Sequence, residues 1–406
     1  MKILEINGSD LPGRLFNGYD LHHSLNDRGY RAYQIVREKF SDDATVHEIQ
    51  ADRTVHLQLK EWERMNSVSH VIFPYGDWIK QQDVYRNADI VHCHILHNHT
   101  ISLFDYETLL GDKRSIWTIH DPWIFTGNCV HPLDCDKWKF GCNICDRLHE
   151  DTFDMDCDNT AFMWKLKKDV LKRINPHVIV ASMFMKNFLR ESPFTQHFDK
   201  IRIIPFGIQL DQYALLNKMQ AKTAYRISPE KVVIGFRADD LRIKGCRYLY
   251  QALENMEEDI SLICVGAGTV PKHIKERFPL TELGWVHQKE KMIKFFASID
   301  IFVMPSLAEG FGLMAIEAMA SGCAVICFEG TTVAEITDAP RCGVGAKYLS
   351  SDDMRRQMKR LIKDKDEMHY RGLLGRKLVE EKFDYNRYVK QHIELYEEVY
   401  KNSRKI

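Results

Sequence analysis

The sequence is notable first for what it lacks. No run of about 18 apolar residues occurs anywhere in its 406 residues, so no segment reads as a membrane-spanning helix. The opening MKILEINGSD has neither the basic nor the long apolar region of a signal peptide, and we expect a cytoplasmic, reducing environment. Net charge is also missing: 56 Lys and Arg against 57 Asp and Glu leave −1, without the concentrated positive field that nucleic-acid binding needs. Prolines number only 12 and no low-complexity tract appears, which excludes a disordered chain. The eleven cysteines are an odd number, unlike a fully paired disulfide framework.

What is present is an α/β alternation, twice over. KILEIN (2–7), AYQIVR (32–37), DIVHCHIL (89–96), SIWTIH (115–120) and HVIVAS (177–182) read as buried strands separated by helical patterns. KVVIGFR (231–237), SLICVG (261–266), DIFVMPS (300–306) and AVICFE (324–329) repeat the pattern in the second half. The length suits two domains better than one sheet, with a join near IRIIPFGIQLDQY (201–213). The last stretch, YNRYVKQHIELYEEVYK, carries a helical apolar stripe with no strand after it.

The sharpest chemical signal is PSLAEGFGLMAIEAMASG, residues 305–322. It leaves a strand, turns at Gly310 and Gly312, and enters a helix whose N-terminal peptide N–H groups and dipole suit an anion. Glu309 precedes the helix and Glu317 lies about two turns inside it. That is roughly 12 Å of helix, which does not match the paired acids of a hydrolase and suits two acceptors along one ligand.

This string resembles the E-x7-E motif of retaining GT-B glycosyltransferases, nearest to family 4. The likeness extends to the N-terminal strand and glycine loop, ADIVHCHILHNH, TIHDPWIFTGNC and IRIIPFGIQLDQY. It implies two facing Rossmann-like domains: an acceptor-binding domain (1–206), a donor-binding domain (207–381), and a C-terminal helix (382–406) crossing back onto the first. It also implies a sugar transferred with retention from a UDP- or GDP-linked donor to a saccharide or lipid-linked acceptor, in surface polysaccharide assembly. The front-face form of that reaction has the leaving phosphate helping to deprotonate the acceptor.

Under the resemblance, Glu309, Gly310, Phe311, Gly312, Leu313 and Glu317 hold the donor. Lys244 and Arg237 grip its diphosphate; the spacing between them is two residues longer than usual, and Arg242 is the substitute for Arg237. Gly266, in VGAG with Gly268, suits a turn beside the nucleotide, and Gly13, with Gly18, resembles the loop facing the diphosphate from the other domain. Trp285 lines the base pocket or packs in the core. His120 contacts the donor sugar and joins Glu309 and Lys244 as the catalytic set, without a divalent ion.

Three features stand beside this reading. Cys129, Cys135, Cys142 and Cys145 (C-x5-C-x6-C-x2-C) suit a structural zinc or a thiol-rich loop. His92 and His94 alternate onto one strand face, with His97 and His99 beyond it, a tract that suggests a metal or the acceptor side. MWKLKKDVLKR (163–173), with Lys167, Lys168 and Lys172, reads as a solvated helix face or a contact for an anionic membrane. Two other functions compete: a sugar-nucleotide epimerase of the same architecture, and a non-catalytic partner subunit.

Overall fold

The structure is a computed structural model describing residues 1–11, 18–112, 114–149, 153, 155–213 and 217–403. The chain divides into two compact units, Met1–Ile204 with Tyr388–Ile406, and Pro205–Arg387.

The first unit is built on seven parallel strands: β1 (Lys2–Ser9), β2 (Arg31–Glu38), β3 (Val46–Glu48), β4 (Ile90–Cys93), β5 (Ser115–Thr118), β6 (His177–Val180) and β7 (Ile201–Ile203). They lie in the order β3-β2-β1-β4-β5-β6-β7. The second unit has six: β8 (Val232–Arg237), β9 (Ile260–Val265), β10 (Leu280–Glu282), β11 (Ile301–Met304), β12 (Ala324–Phe328) and β13 (Val344–Ala346), ordered β10-β9-β8-β11-β12-β13. In each unit the order reverses beside the first strand, between β1 and β4 and between β8 and β11. Such reversals leave a crevice at the carboxyl ends of the strands, where doubly wound sheets bind ligands.

Period explains most of what was foreseen. Strands β8, β9 and β12 are buried on both faces, so their sequences are continuous apolar runs. The three-residue edge strands β3, β10 and β13 were not foreseen, because they have too few apolar residues to show a pattern. The helix Ser351–Lys363 buries Met354, Met358 and Leu361, one stripe at helical spacing, and Ser350 caps it by accepting from the Asp353 amide. The next helix, Lys365–Lys382, runs so close to the end of its neighbour that a Cβ at Gly372 would sit 2.3 Å from the Gly322 oxygen.

The final helix, Tyr385–Ser403, starts in the second unit and from Tyr388 onward belongs to the first. It buries Tyr388, Val389, His392, Leu395, Tyr396 and Val399. Arg202 ion-pairs with its Glu398 at 2.6 Å, and Tyr30 donates to Glu397 at 3.1 Å.

One expectation needs correction here. Lys167 does not belong to a solvent- or membrane-facing stripe: it is fully buried. Its ammonium donates to the Trp123 and Thr126 carbonyls at 2.8 and 3.0 Å and stands 3.4 Å from the Trp123 ring centroid. Burial pulls its pKa down to about 7, against the pull of Cys129, Cys142 and Asp121. The helix Thr160–Leu171 therefore presents Lys165, Lys168 and Lys172 on a different face from Lys167.

Candidate functional site

In the second unit the carboxyl ends of β8 and β11 meet. Strand β11 runs into Pro305–Gly312 and then the helix Leu313–Ala320, whose N-cap is Gly312 at φ +105°. A side chain at that φ is strained, so glycine sets how the chain enters the helix. The loop after β8 packs directly on this segment. Leu307 N donates to the Ile243 oxygen at 2.7 Å, and a Cβ at Gly245 would lie 1.9 Å from the Pro305 oxygen. Only glycine permits that approach, and the approach carries Lys244 to the mouth of the helix.

Lys244 Nζ donates to Glu309 Oε1 at 2.8 Å, and Ser306 Oγ donates to the same oxygen at 2.9 Å. Thr332 Oγ1 donates to the Glu309 backbone oxygen at 2.8 Å, fixing the loop from a third element. The Lys244 and Glu309 side chains keep 19% and 14% of their surface in solvent, so the pair is positioned yet reachable. Gly310 and Leu313 flank it along the chain, whereas Phe311 is turned inward against Phe206 and Phe383. What Phe311 can offer a ligand is its backbone.

Glu317 lies two turns further along the helix. It accepts from Tyr213 Oη at 2.7 Å, and burial raises its carboxyl pKa while Tyr213 and Lys289 pull the other way. Tyr213 had no role in the sequence reading, although it ends a segment singled out there. Arg237, the last residue of β8, pairs with Asp239 at 2.7 Å and lies 5.4 Å from the Trp285 ring centroid. Its charge is thus already compensated by Asp239. Trp285 is 47% exposed, which rules out the core-packing reading. Arg242 is half-buried on the turn Arg242–Lys244. Gly266 and Gly268 form the turn beside Arg237, the Gly268 amide donating to the Ala238 oxygen at 3.0 Å.

The first unit gathers a different group on β1, on and just after β4, and at the end of β5. Glu5 Oε2 lies 2.8 Å from His94 Nε2, and Tyr396 Oη donates to Glu5 Oε1 at 3.3 Å. His92 lies 2.7 Å from both Tyr396 Oη and Thr118 Oγ1. Glu5, His92, His94 and Tyr396 are all at most 2% exposed. Burial raises Glu5 to about 8, against His22 and Tyr396, and lowers His94 and His392 to about 3. The cluster therefore favours neutral forms at pH 7. Glu5 and Tyr396 were missed by sequence reasoning, since their partners lie far away along the chain.

His120 follows β5, its ring centroid 5.7 Å from that of His94, and desolvation followed by the nearby His94 pushes its imidazole down to about 3. Gly18 packs here too: a Cβ on it would lie 2.0 Å from Glu5 Oε2. Gly13 lies outside the described residues. The histidine tract does not converge. His97 bonds Asp121 at 3.0 Å and stacks on Trp123, His99 stacks on His70, and His92 and His94 lie together at a separate place.

All four loop cysteines carry free thiols and are partly exposed. Among the described residues, no three of the four sulfurs lie within 4.8 Å of one another. The Cys142 sulfur accepts from the Gly127 amide at 3.1 Å.

Known proteins resemble the chain in sequence and in fold. Residues 230–364 match the family described as Glycosyl transferases group 1. Across 287 residues the chain is 24% identical to the putative colanic acid biosynthesis glycosyl transferase WcaC of Escherichia coli K12, a match covering 65% of each chain. Its structure resembles sucrose-phosphate synthase from Thermosynechococcus elongatus (TM-score 0.72, 18% identity, 99% of this chain and 100% of that one). It also resembles Anabaena HepE solved with UDP and glucose (TM-score 0.69, 15% identity, 97% and 99%). These likenesses show the fold: the two Rossmann-like units, with the last helix belonging to the first, are those of GT-B glycosyltransferases.

Proposed function

We propose that the chain is a retaining glycosyltransferase that moves a hexosyl unit from a UDP- or GDP-linked donor to a saccharide or lipid-linked acceptor in surface polysaccharide assembly. The observation that carries this reading is the Lys244–Glu309 pair, held by Ser306 and Thr332 at the N-terminus of the helix Leu313–Ala320. An ammonium beside exposed helix amides suits a diphosphate, and a fixed carboxylate next to it suits sugar hydroxyls. Glu317, oriented by Tyr213, is the acceptor assigned to the ribose. Arg237 must release Asp239 to reach a phosphate, and Lys244 must likewise exchange or share Glu309. The likeness to HepE, solved with UDP and glucose, supports a nucleotide donor, and the name of WcaC supports a polysaccharide product.

In this reading the protein stabilises charge on the departing diphosphate and positions the acceptor, and His120 keeps its assignment to the donor sugar as a proposal. The diphosphate is held by Lys244 and peptide amides, so transfer survives EDTA. Zinc at Cys129, Cys135, Cys142 and Cys145 would draw the four sulfurs together from their present spread, and metal analysis of fresh protein decides it. Lys165, Lys168 and Lys172, with the strongly exposed Phe140 and Ile144, are the face assigned to an anionic inner membrane. Liposome binding that is unchanged by reversing these three charges removes that assignment.

The direct test is a panel of UDP-, GDP- and ADP-sugars with and without acceptor, reading product anomeric configuration by NMR. One donor should be consumed with retention. Change of the free nucleotide sugar without acceptor would instead identify an epimerase, and no turnover of any donor a non-catalytic partner.

A further inference from the structure

A third group of titratable side chains lies apart from both clusters above. His22 and His23 sit on the helix Tyr19–Asp27, and Asp43 lies in the turn between β2 and β3. Asp43 Oδ2 is 3.0 Å from His23 Nε2 and 3.9 Å from His22 Nε2, and one ligand atom from each residue lies within 4.8 Å of the other two. A tetrahedral ion with bonds of about 2.0–2.1 Å places its ligand atoms roughly 3.4 Å apart, between the two measured separations. The His22 side chain is fully buried, whereas that of His23 is 46% exposed, so the group opens to solvent on one side.

The hydrogen bonds around these residues are one proton short. Thr45 Oγ1 lies 2.7 Å from Asp43 Oδ1 and 2.6 Å from His22 Nε2, and the Thr45 amide donates to the same Oδ1 at 2.8 Å. Ionised Asp43 can only accept, so the single hydroxyl proton goes to Oδ1. His22 must then donate from Nε2 to Thr45 and from Nδ1 to the Tyr19 carbonyl, 3.3 Å away. Neutral imidazole has one N–H, and a second would place a full charge on a fully buried side chain. Asp43 Oδ2 meanwhile accepts no hydrogen bond, although it is shielded from solvent.

We propose that His22 Nε2, His23 Nε2 and Asp43 Oδ2 bind a first-row divalent transition ion, with zinc(II) as the ion to test. The cation takes the lone pair of His22 Nε2, the ring and the Thr45 hydroxyl, now 2.6 Å apart, separating to admit it, and Nδ1–H is left to donate to the Tyr19 carbonyl. That is the outer contact that usually orients a metal-bound histidine. Thr45 plays the same part for Asp43, saturating Oδ1 and turning Oδ2 toward the ion. Two imidazoles and one carboxylate suit zinc and its neighbours, whereas calcium and magnesium take oxygen ligands. The ion would clamp the first helix to the turn that follows β2. It involves none of the residues assigned to sugar transfer and stands or falls independently of that reading.

The test is zinc titration of the full chain by calorimetry, with elemental analysis after dialysis. Wild type should retain one zinc at this site, and His23→Ala, which alters a half-exposed side chain, should lose that equivalent while keeping its circular dichroism. Thr45→Val should bind zinc about 10- to 100-fold more weakly, as expected for loss of an outer contact. Cobalt(II) separates this site from the cysteine loop: here it should give ligand-field bands without thiolate charge transfer. No bound zinc in wild type, equal zinc in His23→Ala, or cobalt bands of thiolate character alone would each overturn the proposal.

Discussion

Each unit places a carboxylate near the reversal of its sheet, and the two are treated oppositely. In the first, Glu5 sits beside β4 at the sheet's reversal, sealed from solvent, ringed by imidazoles and raised to about 8. In the second, Glu309 follows β11 at the corresponding reversal, partly open and ion-paired to Lys244. A buried group stays neutral because an unpaired ion in low dielectric is too costly; a partly solvated ion pair stays charged and can exchange its partner for a ligand. The sealed cluster therefore reads as architecture and the open pair as chemistry. Topology alone does not distinguish them, but water access does.

The most severe way to break that contrast is to remove the open pair. Lys244→Ala or Glu309→Ala should lower turnover by about 10²–10³, the range for losing one group that stabilises developing charge, with little change in urea midpoint. Retained activity in both variants would refute the site. Next in size is the buried cation of the first unit. Lys167→Met leaves the Thr126 carbonyl without its Lys167 donor, costing about 1–3 kcal/mol, while the Trp123 carbonyl keeps the Thr126 amide and hydroxyl; the urea midpoint should fall accordingly.

The sequence predicted the second unit's site better than the first unit's interior, and the reason is distance along the chain. Glu309, Gly312 and Glu317 sit in one contiguous string, with a strand before it and a helix after it, so local pattern places them. Lys244 needs the β8–β11 reversal, which alternating strands and helices already imply. By contrast, Tyr213 meets Glu317 across 104 residues and Tyr396 meets Glu5 across 391, and no local period encodes either pairing. Lys167 was misread for the same reason: a helix stripe shows that a lysine recurs, not that two carbonyls wait beneath it. Edge strands such as β10 were hidden because three residues cannot show a period.

A gentler probe concerns protonation in the sealed cluster. Glu5 titrates near 8 in the folded chain and near 4.5 when unfolded, so the native state binds the extra proton between those values. Its contribution to stability is fully present below about pH 4.5 and is lost as pH rises through about 8. The stability difference between wild type and Glu5→Gln should therefore shrink with rising pH, by about 1.4 kcal/mol per unit inside that window. Using the difference cancels opposing groups such as Lys167, whose lowered pKa makes stability rise above about pH 7. A difference independent of pH would show that Glu5 is ionised and the cluster is not sealed.

The smallest expected effects come from two tyrosine hydroxyls, one serving Glu5 and the other Glu317. Tyr396→Phe removes the donor to Glu5 and the partner of His92, and should cost about 1 kcal/mol of stability while leaving the donor KM unchanged. Tyr213→Phe removes the donor to Glu317 and should behave differently. If Glu317 holds the ribose, losing its orienting bond should raise the donor KM severalfold with kcat nearly constant, the pattern of an interaction made equally in ground and transition states. Should both variants change only stability, the carboxylate at Glu317 would belong with the one at Glu5, and the open site would shrink to the loop before the helix.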